Sequence, residues 1–221
     1  IKETRKKMSK KTSLIGFVGA PLTVSFFMFD TKREREYSKI LAFFKENKRK
    51  AEKLFKLLEK AIAEHAIGQI RAGAQVIQVF DTRANIATGE DLKVYSINPI
   101  KRICNLIKRK KPKTPIIVFP RNVGSDYSKY IYKNIDCIGV GDDIKKDEIK
   151  KIQKKKVIQG NLSPQALLDG GKILESETKK VISRFSNKPF IFNLSHGIMP
   201  ETPIKNVKKL IKIIRDHKNE V

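Results

Sequence analysis

The chain has 221 residues, 40% of them hydrophobic, with 12 Gly and 9 Pro. That composition excludes a disordered or fibrous polymer and supplies one sizeable core. The net charge of +25 invites a nucleic-acid reading, but the cations are mostly Lys spread along almost the whole length, whereas a binding surface concentrates Arg and aromatics on one element. No apolar run is long enough for a membrane-spanning helix, and Cys104 and Cys137 are isolated, as reduced thiols of a cytoplasmic protein would be.

In chain order, strand-length apolar runs recur at Leu14–Phe17, Val76–Phe80, Pro115–Phe119, Cys137–Val140, Val157–Gln159 and Phe190–Leu194. Each is apolar on consecutive positions, the pattern of strands buried on both faces. Charged segments with helical spacing lie between them. Tyr37 to Ala72 is long enough for two helices, and Gly73 is placed to stop the second. Lysine runs such as Lys108–Lys111 and Lys154–Lys156 are expected to face water. Asp143 to Gln153 carries a sparse stripe of Ile144, Ile149 and Ile152. Ser163-Pro164 reads as the cap and first turn of a helix, and Thr202-Pro203 as those of the last one. That last helix is expected to turn Ile204, Val207, Leu210, Ile211 and Ile214 to one face.

Strand alternating with helix predicts a parallel α/β fold. Gly16 to Pro21 lacks the third glycine of a dinucleotide loop and runs into proline, which disfavours an open nucleotide-binding sheet. The expectation is a (β/α)8 TIM-type barrel, present as about six β/α units lacking the first two strands, with residues 1–221 forming a single domain. The absence of an initiator Met at Ile1 fits an N-terminal segment missing from this chain. Chemistry in such barrels sits at the C-terminal ends of the strands. Here those ends carry Phe80-Asp81-Thr82-Arg83, Phe119-Pro120-Arg121-Asn122, Gln159 to Pro164 and Asn193 to Gly197. Hydroxyls, amides, His196 and two arginines are expected to converge on one mouth suited to an acid-bearing ligand, with Arg83 and Arg121 as candidate carboxylate partners.

Four of these segments carry a resemblance. Leu14-Ile15-Gly16-Phe17-Val18-Gly19-Ala20-Pro21-Leu22-Thr23, Gly73 to Thr82, Gln159 to Pro164, and Phe192-Asn193-Leu194-Ser195-His196-Gly197-Ile198-Met199-Pro200-Glu201-Thr202-Pro203 are similar to motifs of the uroporphyrinogen decarboxylase family, in family order. The resemblance implies a carboxy-lyase of haem biosynthesis, typically a cytoplasmic homodimer. Such an enzyme removes the four acetate carboxyls of uroporphyrinogen with no cofactor or metal, and has no nucleic-acid or membrane partner. It implies substrate contacts at Phe27, Thr82 and His196. Phe27 stands where the family has Tyr, and the hydroxyl bond lost there is worth about 1 kcal/mol. The family's catalytic Asp and its RQAGR arginine motif are absent from residues 1–221, so the resemblance places no catalytic residue in this chain and implies little or no turnover. The Ile138–Asp143 segment departs from the family's GxDW pattern, and no role is assigned to Asp142 or Asp143.

Two other readings stand beside this one. A zinc-dependent methyltransferase of the same superfamily would need cysteine ligands at strand ends, where this sequence offers Pro120-Arg121-Asn122 and Ser195-His196. A basic nucleic-acid-binding protein would show strongly salt-dependent affinity.

Overall fold

The computed structural model describes residues 1–29 and 34–219. Helix α1 (Lys2–Lys7) precedes β1 (Ile15–Gly19), α2 (Pro21–Met28), α3 (Glu34–Glu46), α4 (Lys48–Arg71) and β2 (Val76–Asp81). Helix α5 (Gly89–Leu92) passes through a π-turn at Lys93–Ile97 into α6 (Asn98–Lys110), then come β3 (Ile116–Pro120), a 3-10 stretch Gly124–Tyr130 and β4 (Cys137–Gly139). Helix α7 (Lys146–Gln153), β5 (Val157–Leu162), α8 (Pro164–Asp169), α9 (Gly171–Phe185), β6 (Phe190–Leu194) and α10 (Ile204–Asn219) complete the described residues. All six expected strands form, within a few residues of the apolar runs that announce them.

The strands pair in parallel in the order β1-β2-β3-β4-β5-β6. The sheet curls strongly. Strands β2 and β5 are separated by β3 and β4, yet the Gln78 side-chain amide donates to Gln159 Oε1 across the concave face at 2.8 Å. Phe17, Phe80 and Phe119 line the same face in edge-on contacts of 6.0 and 5.9 Å. The opposite face, with Ile77, Val79, Ile116, Val118, Ile138 and Ile158 fully buried, packs on the helices. An arc of sequential parallel strands, concave within and helix-covered without, is the geometry of six β/α units of a TIM-type barrel.

Several local readings hold. Gly73 follows α4 at φ +112°, a conformation that side chains resist, and releases the chain into β2. The Ser163 hydroxyl accepts from Gln165 N–H and caps α8. Others are corrected. The helix expected from Asp143 begins at Lys146, because Asp143 is used elsewhere as a loop anchor. The Thr202 hydroxyl makes no hydrogen bond, so it does not cap α10. Ile204 and Ile211 of that helix are exposed, while Asn206 is buried and donates to the Leu167 and Leu168 carbonyls at the end of α8. Lys108, expected in water, is largely buried and pairs with Asp136 at 2.9 Å.

Both outer strands are unpaired along one side among the described residues, and they expose Ile15, Phe17 and Ile191 on the concave face. Apolar strand edges of this kind template association between chains. The purified 221-residue chain is therefore expected to self-associate, and Phe17→Lys combined with Ile191→Lys to shift it toward monomer in light scattering. An unchanged particle size would show that association runs through another surface.

Candidate functional site

The C-terminal ends of the strands share one rim, and its framework is built from buried polar groups. Asp81 ends β2, but its side chain points into the helix layer and is fully buried. Its carboxylate accepts from Thr23 Oγ1 at 2.6 Å and from Ser96 Oγ at 2.5 Å. Ser96 gives its proton to Asp81, so the Tyr130 hydroxyl, 2.7 Å away, donates to Ser96. Burial raises the Asp81 carboxyl above its usual value, and the Ser96 and Thr23 hydroxyls only partly offset this. Thr23 Oγ1 in turn accepts from Arg83 N–H, and the Asp81 carbonyl accepts from Arg121 N–H, both at 3.1 Å. One buried carboxylate thus ties α2, β2, the π-turn and the 3-10 stretch, while its backbone locates the chain leaving β3.

A second lattice joins β3, β4 and β5. Asp143 accepts from the Tyr127 hydroxyl and from Gly124 N–H, each at 2.7 Å. Gly141 N–H donates to the Tyr127 oxygen at 2.9 Å, and the Asn161 amide donates to the Gly141 carbonyl at 2.7 Å. Asp143, left unassigned from sequence, is therefore structural. Burial, followed by the Asp143 carboxylate, holds the Tyr127 hydroxyl well above its ordinary range, so it stays a neutral donor.

Above this lattice lies a recess of about 300 Å³, lined among others by Arg121, Asp142, Ser163, Gln165, Ser195 and His196. Asn122 follows Arg121 at φ +55°, a left-handed turn that Asn tolerates better than most residues, and it bends the chain sharply out of β3. The half-buried Arg121 guanidinium has no carboxylate partner among the described residues. Gly197 N–H donates to His196 Nδ1 at 2.6 Å, so the ring N–H is Nε2, free to donate to a ligand.

The expected convergence is only partial. His196 and Arg121 share the recess. Arg83 does not join them: its guanidinium lies over the Tyr37 ring at 4.6 Å, in a cation–π contact with the helix layer. Thr82 is half-buried at the end of β2 and Phe27 is 60% exposed on α2. Both stand at the same C-terminal end of the sheet, outside that recess. Cys104 in α6 and Cys137 at the start of β4 stand away from the rim and are buried, with thiols pushed up to about 12 chiefly by desolvation. Among the described residues no three His, Cys, Asp or Glu side chains group as a metal site requires.

The family model for uroporphyrinogen decarboxylase matches residues 1–217. The chain belongs to the uroporphyrinogen decarboxylase family. A uroporphyrinogen decarboxylase of Rickettsia bellii is 39% identical over 218 residues, 98% of this chain and 64% of that relative. One of Orientia tsutsugamushi is 38% identical over 220 residues, 96% of this chain and 63% of its own length. The chain thus spans under two thirds of the curated decarboxylases it matches. A Listeria monocytogenes structure named for vitamin-B12-independent methionine synthase superposes with a TM-score of 0.63 over 96% of this chain and 65% of its own, at 14% identity, and shares the fold. The rim offers two donors, Arg121 and His196, in one recess, with the Ser163 and Ser195 hydroxyls beside them.

Proposed function

We propose that this chain supplies the substrate-holding rim of a uroporphyrinogen decarboxylase in porphyrin biosynthesis, with residues 1–221 forming one incomplete barrel domain. The observation that supports this best is the Arg121 guanidinium, without a carboxylate partner among the described residues, in one recess with the His196 donor at the strand ends where barrel enzymes bind ligands. His196, Thr82 and Phe27 are the substrate contacts in this reading. Phe27 offers a ring face where its relatives' resemblance implies a phenol.

In the reaction, protonation of a pyrrole makes the ring an electron sink. The bond from the acetate methylene to its carboxyl then breaks, CO2 leaves, and the electron pair flows into the ring. A proton added to the methylene carbon makes it a methyl group, and release of the proton first placed on the ring restores the neutral pyrrole. The protein must hold many carboxylates and stabilise the transient ring cation. This chain contributes the first task, and the residues for the second are not among those it contains. By the family resemblance we place it in the cytoplasm as a homodimer without nucleic-acid or membrane partners.

The test is anaerobic incubation with uroporphyrinogen, followed by chromatography of the oxidised products. The chain alone is expected to give no coproporphyrinogen above background. The chain preceded in frame by the N-terminal third of the Rickettsia bellii relative is expected to give it. Failure of that fusion to turn over, although folded, would sink the reading.

A further inference from the structure

The recess that holds His196 contains two charged residues whose roles nothing above fixes. Arg121 comes from the end of β3 and Asp142 from the end of β4, and they make no ion pair within 4.0 Å. Three observations make Arg121 more than a solvated cation. Its backbone is fixed by the bond from its N–H to the Asp81 carbonyl. The left-handed Asn122 that follows prevents the strand from continuing and leaves the guanidinium at the rim. Of the two strand-end arginines, Arg83 is occupied by Tyr37, so Arg121 is the one available to a ligand in this recess.

A planar guanidinium takes a carboxylate through two parallel N–H donors, and an imidazole N–H adds a third. The volume of about 300 Å³ is ample for one acid arm and small beside a tetrapyrrole. Asp142, exposed on the same rim, repels a second carboxylate while tolerating a first that is held by two donors.

We propose that Arg121 is a carboxylate-recognising residue for one peripheral acid arm of the substrate, acting with His196, and that Asp142 limits the recess to a single arm. This rests on the reading that the chain binds a polycarboxylate tetrapyrrole at its rim. It adds which side chains select that substrate and by what charge.

The probe is uroporphyrin, the fluorescent oxidised octacarboxylate, titrated into the 221-residue chain at 0.1 M salt. Arg121→Ala should weaken binding roughly tenfold, the loss of about one charge-assisted contact. Arg121→Lys should recover part of that, keeping the charge but losing the fork. Asp142→Asn should tighten binding about two- to threefold. Arg109→Ala, which removes an equal charge from the exposed end of α6, should stay within about twofold of wild type. Far-ultraviolet circular dichroism of each variant checks that it is folded. Should Arg121→Ala misfold, the opposite-signed Asp142→Asn result still decides, and unchanged affinity there overturns the proposal.

If wild type does not bind uroporphyrin, the rim reading and this inference fall together. If it binds and folded Arg121→Ala binds equally well, only the inference falls. Equal weakening by Arg121→Ala and Arg109→Ala would mean that bulk charge carries the binding, which also overturns it.

Discussion

Phe44→Ala is expected to cost about 4 kcal/mol of folding stability, measured as a shift of the guanidinium unfolding midpoint at constant slope. Phe44 is fully buried on α3 and joins elements far apart in sequence. Its ring stacks on Phe26 of α2 at 6.5 Å, meets Phe55 of α4 edge-on at 5.5 Å, and lies 6.0 Å from Tyr95 in the π-turn. Truncation removes the transfer free energy of a whole aromatic ring. It also leaves a cavity that these rigid neighbouring rings cannot collapse to fill. Phe44→Leu should cost less than half as much, because most of the volume remains. The effect should also reach the rim, since Phe26 stacks on Tyr37 at 5.0 Å and Tyr37 carries the Arg83 guanidinium. A loss under about 1 kcal/mol would mean that the aromatic cluster is loosely packed and contributes little beyond filling space.

The second large effect is expected at Asp81. Asp81→Ala leaves the Thr23 and Ser96 hydroxyls buried without their acceptor and opens a small void, at about 3 kcal/mol. Asp81→Asn keeps the volume and separates charge from shape. Burial raises the folded carboxyl above its usual 3.8, with Ser96 and Thr23 only partly opposing the shift, so the folded state binds the proton more tightly than the unfolded chain. The stabilising contribution of that proton is complete below pH 3.8. It fades as pH rises through the folded value and is absent above it. Measured by urea unfolding, the stability of wild type relative to Asp81→Asn should therefore fall as pH is raised from about 4, then level off. A difference that grew with pH would show that the fold favours the carboxylate, contrary to its burial.

These two residues also mark how far the sequence could be read. The strands were legible because consecutive Val, Ile and Phe satisfy both faces of a covered sheet, and the four motifs fall on strand ends as they should. Asp81 was legible only by position. It closes a strand whose Ile77 and Val79 face the helices, so the two-residue period already sends its side chain away from the rim, while Thr82 takes the other parity. The same parity argument would have kept Asp81 out of the mouth from the start. In α10, hydrophobic spacing put Ile204 and Ile211 on one face with Val207, Leu210 and Ile214, but α8 ends with bare carbonyls that need a donor. Asn206 meets that need and turns the helix accordingly. Glu59, almost fully buried yet paired through two bonds with Arg102, was equally invisible, since its partner lies 43 residues away on another helix. Arg83 and Arg121 both follow a strand end, but the register pairs Asp81 with Pro120, so Arg121 stands opposite Thr82 while Arg83 takes the parity of Asp81 and lies over Tyr37 in the helix layer.

The sequential strand order carries a consequence for how the sheet assembles. Ile117 of β3 pairs with Cys137 of β4, and Cys137 with Val157 of β5, so each of these closures spans only about 20 residues. Joining Ile15 of β1 to Val76 of β2 must instead draw together a chain segment carrying two long helices. Loop-closure entropy therefore favours a nucleus at the centre of the arc. Folding should spread outward from β3–β5 toward β2 and β6, with β1 docking late. The central strands would be the last to give up their amide protons in hydrogen exchange, and the two rims of the arc the first.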